Sequence, residues 1–210
     1  MLEITSFVLG PVATNTYLVA DVDTKEAVVI DPAWNDPAVQ EQAERRDWEI
    51  RQLWISHAHF DHFGGVAQLA SQVEPPPLIA LHPLDLALWK VGGGAALFGM
   101  HIPQPPDPNF QLAHGQILKL GNTKFEVRHV PGHSPGHVVF YCPEEGVMFC
   151  GDTVFWGSIG RTDLPGGDEA TLIRYIQERI LTLPEETRLL SGHGDETTVG
   201  QEKRWNPFLA

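Results

Sequence analysis

Four side chains able to bind a metal stand within six residues, in the run Ser56-His57-Ala58-His59-Phe60-Asp61-His62. The run follows an apolar segment, Gln52-Leu53-Trp54-Ile55, and precedes Gly64-Gly65. That order predicts a strand, a loop and then a helix. Imidazole and carboxylate groups at the end of an apolar strand are costly to bury unless something satisfies them. A metal ion does so.

The chain has ten histidines. Five sit in glycine-flanked or histidine-dense loop entries: His57, His59, His62, His133 and His193. Asp61 and Asp152 occupy similar positions, the latter in Phe149-Cys150-Gly151-Asp152-Thr153. Residues two apart in an extended segment project to the same side, so His57 and His59 can grip one ion. Asp61 and His62 fall at the turn into the helix and could serve a neighbouring ion. Seven candidate ligands exceed the roughly four that one tetrahedral zinc takes. A bridging carboxylate would let them serve two ions, and Asp152 is the natural bridge because a carboxylate has two oxygens. His82, His101, His114, His129 and His137 lie outside this pattern. His137 is expected to support His133 without touching metal.

Other elements must bring these residues together. The pattern predicts strands over 4–9, 16–20, 27–30, 50–55 and 78–81, with Asp31-Pro32 closing the third. Asp36 is read as the N-cap, with Pro37 at the first position, of a helix running to about Arg46. A short helix is expected over 65–72. Residues 91–111 hold Gly92-Gly93-Gly94 and four prolines and read as a surface loop. The triple glycine lacks the Lys-Ser or Lys-Thr that would follow in a phosphate cradle. The second half predicts strands over 117–120, 124–130, 138–141 and 146–150, then a loop over 153–168. A helix over 171–181 follows from apolar residues at 172, 173, 176, 180 and 181. Leu189-Leu190 leads into Ser191-Gly192-His193. In both halves strands run into helices and polar residues follow strand ends. This predicts an α/β layered domain with its site along one edge of the sheets.

At 210 residues, 42% hydrophobic and 20% charged, the chain is expected to form one domain spanning residues 1–210. The net charge of −13 argues against a nucleic-acid partner, because such affinity rests on Lys and Arg neutralising phosphates. No run approaches the roughly 18 apolar residues of a membrane helix, and the N-terminus lacks signal-peptide features. Cys142 and Cys150 are read as buried thiols, and the expected location is the cytoplasm.

His57-x-His59-x-Asp61-His62, followed by His133, Asp152 and His193, resembles the metallo-β-lactamase superfamily over nearly the whole chain. The resemblance implies an αββα sandwich with two divalent ions. His57, His59 and His133 would hold the first, Asp61, His62 and His193 the second, and Asp152 would bridge. Asp61 and Asp152 are the candidate catalytic carboxylates. Nitrogen and oxygen ligands suit zinc, and also iron or manganese. The classical antibiotic-hydrolysing members replace a second-site ligand with cysteine, and this motif contains none.

The closer resemblance is to glyoxalase II, the hydroxyacylglutathione hydrolases, in their short bacterial form. It rests on residues 129–137 (His-Val-Pro-Gly-His-Ser-Pro-Gly-His), 160–168 (Gly-Arg-Thr-Asp-Leu-Pro-Gly-Gly-Asp), 191–194 (Ser-Gly-His-Gly) and the ending at 202–209. It implies hydrolysis of a small anionic thioester such as S-lactoylglutathione by a metal-bridging hydroxide, with Arg161 binding substrate. The chain ends at Ala210, before the helical region that helps bind glutathione in full-length glyoxalase II. Two alternatives stay open. One is a mononuclear-iron persulfide dioxygenase, which shares the Gly-Arg-Thr-Asp run and would use His57 or a neighbour, His133 and Asp152. The other is a superfamily hydrolase of another kind, such as a lactonase. Oligomeric state is not indicated.

Overall fold

Alternation along the strands sets the layers. In β2 (Thr14–Asp21) Leu18 and Ala20 face one side, while Tyr17 and Val19 face the other. In β3 (Glu26–Ile30) Ala27 and Val29 oppose Val28 and Ile30 in the same way. Successive side chains of a strand point to opposite faces, so a strand apolar on both must be covered on both.

The computed structural model describes residues 1–34 and 36–209. One sheet runs β1 (Leu2–Leu9), β2, β3, β4 (Glu49–Trp54), β5 (Leu78–Leu81) and β6 (Phe110–Gln111), in that order. Its first three strands are antiparallel neighbours, and from β3 onward the pairing is parallel. The second sheet draws on β7 (Ile117–Leu120), β8 (Thr123–His129), β9 (Val138–Cys142), β10 (Val147–Gly151), β13 (Arg188–Ser191) and β14 (Thr197–Thr198). Its order is β14-β13-β10-β9-β8-β7. A two-residue-per-strand hairpin, β11 (Val154–Phe155) and β12 (Ser158–Ile159), stands beside it.

Three apolar layers separate four structural ones. Between the sheets lie Val28, Ile30, Phe140, Phe149 and Trp54, whose indole meets Phe125 edge-on at 5.0 Å. Such aromatic pairs add about 0.5–1.5 kcal/mol beyond their buried area. Outside the first sheet pack α1 (Ala38–Arg46), α2 (Phe60–Phe63), α3 (Val66–Gln72) and α4 (Leu86–Lys90), through Val39, Phe63, Leu69 and Trp89. Outside the second pack α5 (Glu169–Arg179) and α6 (Val199–Trp205), through Leu172, Ile176 and Val199. This is the αββα sandwich that the family resemblance implies, and the α/β layering expected from the order of strands and helices.

Boundaries moved where side chains took local roles. α1 begins at Ala38, and the Asp36 carboxylate accepts the Ala38 N–H at 2.9 Å. α5 begins two residues earlier than its apolar rhythm suggests, because Asp168 caps it by accepting from Thr171 N–H at 2.7 Å. Asp61 and His62 lie inside a helix of their own, α2, ahead of α3. The expected loop 91–111 contains a 3₁₀ segment, Gly92–Phe98, and strand β6. The expected loop 153–168 contains the β11–β12 hairpin. Cys142 and Cys150 are buried and unbridged. Among the described residues no helix is long and apolar enough to cross a membrane.

Candidate metal centre

Five strands end at one rim. β4 feeds His57 and His59, β8 leads to His133, β10 to Asp152, and β13 to His193, while β3 ends on Asp31. His57 Nε2 lies 3.1 Å from His133 Nε2, and His59 Nδ1 lies 2.8 Å from the same atom. Asp61, His62 and His193 form a second group: Asp61 Oδ2 is 3.4 Å from His62 Nε2 and 3.2 Å from His193 Nε2. Asp152 stands between them, with Oδ1 3.3 Å from His62 Nε2 and Oδ2 3.6 Å from both His133 Nε2 and His193 Nε2. All seven residues singled out from the sequence therefore meet, in groups that could hold metal.

Four of the five rings are oriented by their other nitrogen. His62 Nδ1 donates to Asp31 Oδ2 at 3.0 Å, since a carboxylate only accepts. His133 Nδ1 donates to the Arg161 carbonyl at 2.7 Å. Ser56 Oγ gives its proton to Asp31 Oδ2 and so accepts from His57 Nδ1 at 3.0 Å. His193 Nδ1 faces the Ala13 carbonyl at 3.3 Å. Such partners fix the tautomer and aim the remaining lone pair.

Those lone pairs need a cation. His57 and His133 turn unprotonated nitrogens toward each other, and burial holds His57, His59 and His133 below the usual imidazole range, His59 at about 3. His62 Nε2 and Asp152 Oδ1 are buried and make no hydrogen bond among the described residues. Neutral lone pairs packed together with an orphaned carboxylate oxygen are what a bound divalent ion satisfies. In the second group burial opposes charge, yet Asp152, Asp61 and Asp31 raise His62 well above its ordinary value. Burial likewise opposes the His193 charge, and Asp61 outweighs it. Asp61 is held at about 2: burial would raise it, and His62 and His193 prevail.

Two buried carboxylates that sequence reasoning did not single out assemble this rim. Asp31, at a positive φ of 49°, accepts from Ser56 N–H and Ser56 Oγ as well as His62. Asp85 accepts from Ala58 N–H at 2.9 Å, Ser134 Oγ at 2.7 Å and Gly136 N–H at 2.5 Å, tying the 57–62 loop to the 133–137 loop. Burial pushes Asp85 up against the pull of those hydrogen bonds. Asp31 had a signal: it directly follows an apolar strand, as Asp152 does. Asp85 had none, because its partners lie 27 to 51 residues away. Thr14 also donates to Asp61 at 2.9 Å, and Asn15 holds the His193 loop through the Ser191 and Gly194 carbonyls. His137 accepts from Asp152 N–H at 3.0 Å and stacks on His57.

The centre opens into a cleft of ≈ 450 Å³. His59, Asp61, His133, Asp152 and His193 form its floor, and Arg161 is the one Lys or Arg on its walls among the described residues. Arg161 is also engaged elsewhere: Nε and Nη2 donate to the two Asp163 carboxylate oxygens at 2.7 and 2.8 Å.

Comparisons agree with this geometry. The family model described as the metallo-beta-lactamase superfamily matches residues 9–193. The hydroxyacylglutathione hydrolase GloC of Haemophilus influenzae is 40% identical over 190 residues, 89% of each chain. The crystal structure of the BLEG-1 B3 metallo-beta-lactamase superposes with a TM-score of 0.91 at 38% identity, covering 100% of both chains. That of TTHA1623 in a di-iron-bound form gives 0.88 at 42%, covering 98% of this chain and all of the other.

Proposed function

We propose that this chain, which belongs to the metallo-beta-lactamase superfamily, is a dinuclear metal-dependent hydrolase of glutathione thioesters such as S-lactoylglutathione. One observation carries the reading: the buried Asp152 carboxylate lies between a three-histidine group and an Asp-His-His group, with Oδ1 beside His62 and Oδ2 equally near His133 and His193. His57, His59 and His133 would hold one ion and Asp61, His62 and His193 the other, and Asp152 would serve both. Their nitrogen and oxygen donors suit zinc. The thioester assignment draws on the likeness to the Haemophilus influenzae hydrolase.

Ions held there would lower the pKa of a water from about 15.7 to around 7 and would polarise a carbonyl oxygen. The protein supplies the rest. Burial keeps the three histidines neutral, so their lone pairs remain available. Asp61 lines the cleft as a carboxylate and takes the proton released when water attacks the thioester carbonyl carbon. The carbon–sulfur bond then breaks, and the thiolate leaves with the electron pair. A thiolate needs little general-acid help, in keeping with a cleft floor built of ligands. Arg161 meets a carboxylate of the glutathione portion.

The test is elemental analysis of protein from its native host, paired with S-lactoylglutathione turnover by the parent, Asp152→Ala and His59→Ala proteins. About two metals per chain, thioester cleavage, and losses of both in the variants are expected. Full activity with unchanged metal in either variant overturns the proposal. So does one iron per chain with oxygen uptake on glutathione persulfide. Likeness to a B3 metallo-beta-lactamase supports a second reading, opening of a β-lactam ring, and a β-lactam assayed alongside the thioester decides between them.

A further inference from the structure

The triple glycine at 92–94 has a geometric role. Gly93 has φ +62°, and a Cβ there would collide with the Phe60 backbone nitrogen. Phe60 lies between His59 and Asp61. The turn is therefore pressed onto the metal-binding loop, and the residues after it are carried to the cleft mouth. Phe98 meets the Phe60 ring at 5.5 Å. Leu88, Val91, Ala96, Leu97 and Phe98 then line one wall of the cleft.

This wall is apolar and open. Val91 is 70% exposed, Leu97 69% and Phe98 44%. From Val91 to Phe98 the chain has no charged or hydrogen-bonding side chain. Exposed apolar surface that continues into a site floor marks a binding surface for apolar matter. Arg161, the cation of the cleft, belongs to a different segment, beyond β12. The cleft thus offers both a cation for an anionic group and an apolar wall for an uncharged one.

We infer that the wall from Leu88 to Phe98 receives the acyl group of the substrate, and that the enzyme prefers thioesters with extended aliphatic or aromatic acyl groups over those with short hydroxylated ones. This rests on the thioesterase reading of the same site. A lactoyl group presents a hydroxyl and one methyl to this wall. A longer acyl chain removes Val91 and Leu97 from water, which contributes up to about fourfold per fully buried methylene.

The test measures kcat/KM of the metal-loaded protein on S-lactoyl-, S-acetyl-, S-butanoyl- and S-hexanoylglutathione, with inhibition by S-methyl- and S-hexylglutathione. The expected result is a rise of about two- to fourfold per methylene and a matching gain in inhibition. In the Val91→Ser/Leu97→Ser double variant, the hexanoyl-to-acetyl ratio falls about tenfold or more. Both side chains are largely exposed, so the variant folds, which its melting temperature checks. A flat or falling chain-length series in an active thioesterase overturns the inference and leaves the proposed function standing. So does a variant that changes oligomeric state and not selectivity. No cleavage of any thioester overturns the proposed function and the inference together.

Discussion

Asp31 Oδ2 lies 3.0 Å from His62 Nδ1, at the end of β3 and beneath the centre, and both side chains are buried. The contact joins residues 31 positions apart and decides which nitrogen of His62 faces Asp61 and Asp152. The same oxygen accepts from Ser56, which orients His57, so one carboxylate aims a ring in each group. Asp31→Ala should therefore weaken both halves of the centre. Metal affinity and turnover are expected to fall about 10- to 100-fold, the range for partners behind a ligand. Isothermal titration with zinc checks it, and unchanged affinity at both sites would refute it.

Gly192 precedes His193 and lies directly against the bridging carboxylate. A Cβ there would collide with Asp152 Oδ1 and stand 2.6 Å from His62 Cε1. Gly192→Ala should displace Asp152 and cost about 1–3 kcal/mol of stability, as overpacking does. Chemical denaturation gives the stability, and the metal content of the purified variant should fall with it.

Arg161 has two claims on its guanidinium, the cleft and Asp163. Arg161→Ala should raise KM for a glutathione thioester by about two- to fivefold, with a smaller change in kcat. Asp163→Ala should free the guanidinium and lower KM. Steady-state kinetics on both variants test this. An unchanged KM in both would remove Arg161 from substrate binding.

Protons should compete unequally at the two groups. His57, His59 and His133 have depressed values, so they stay unprotonated as pH falls below the ordinary 6.5, and His59 does so to about 3. His62 and His193 have raised values in the metal-free chain, so below those values a metal must displace a proton. Affinity at the Asp61-His62-His193 group should therefore drop first on acidification. Metal titrations at pH 8, 7 and 6 should show the stoichiometry falling from two toward one. Simultaneous loss of both ions would contradict the assignment.

Several details divided sequence from fold. β2, β3, β9 and β10 were legible because apolar residues on both faces of a strand announce a buried sheet. α4 was not read because five residues carry little periodicity, and α6 was not read because its buried face is Val199, Gly200 and Glu202, which is no apolar stripe. Asp85 could not be recognised, since nothing near it in sequence needs a carboxylate. Its worth lies in three donors that come from residues 58, 134 and 136.

By itself the sequence determined the donor set. Histidine and aspartate at 57, 59, 61, 62, 133, 152 and 193 are local facts of side-chain chemistry, and the succession of strands and helices implied the layers that carry them. Only the tertiary structure decided which nitrogen each ring turns inward, where the two oxygens of Asp152 point, and that Arg161 already holds a partner. It alone also set an apolar wall beside the polar floor. Apart from the Arg161–Asp163 pair, two residues apart, these are relations between residues far apart in the chain, fixed by hydrogen bonds and packing that form only when the two sheets close on each other.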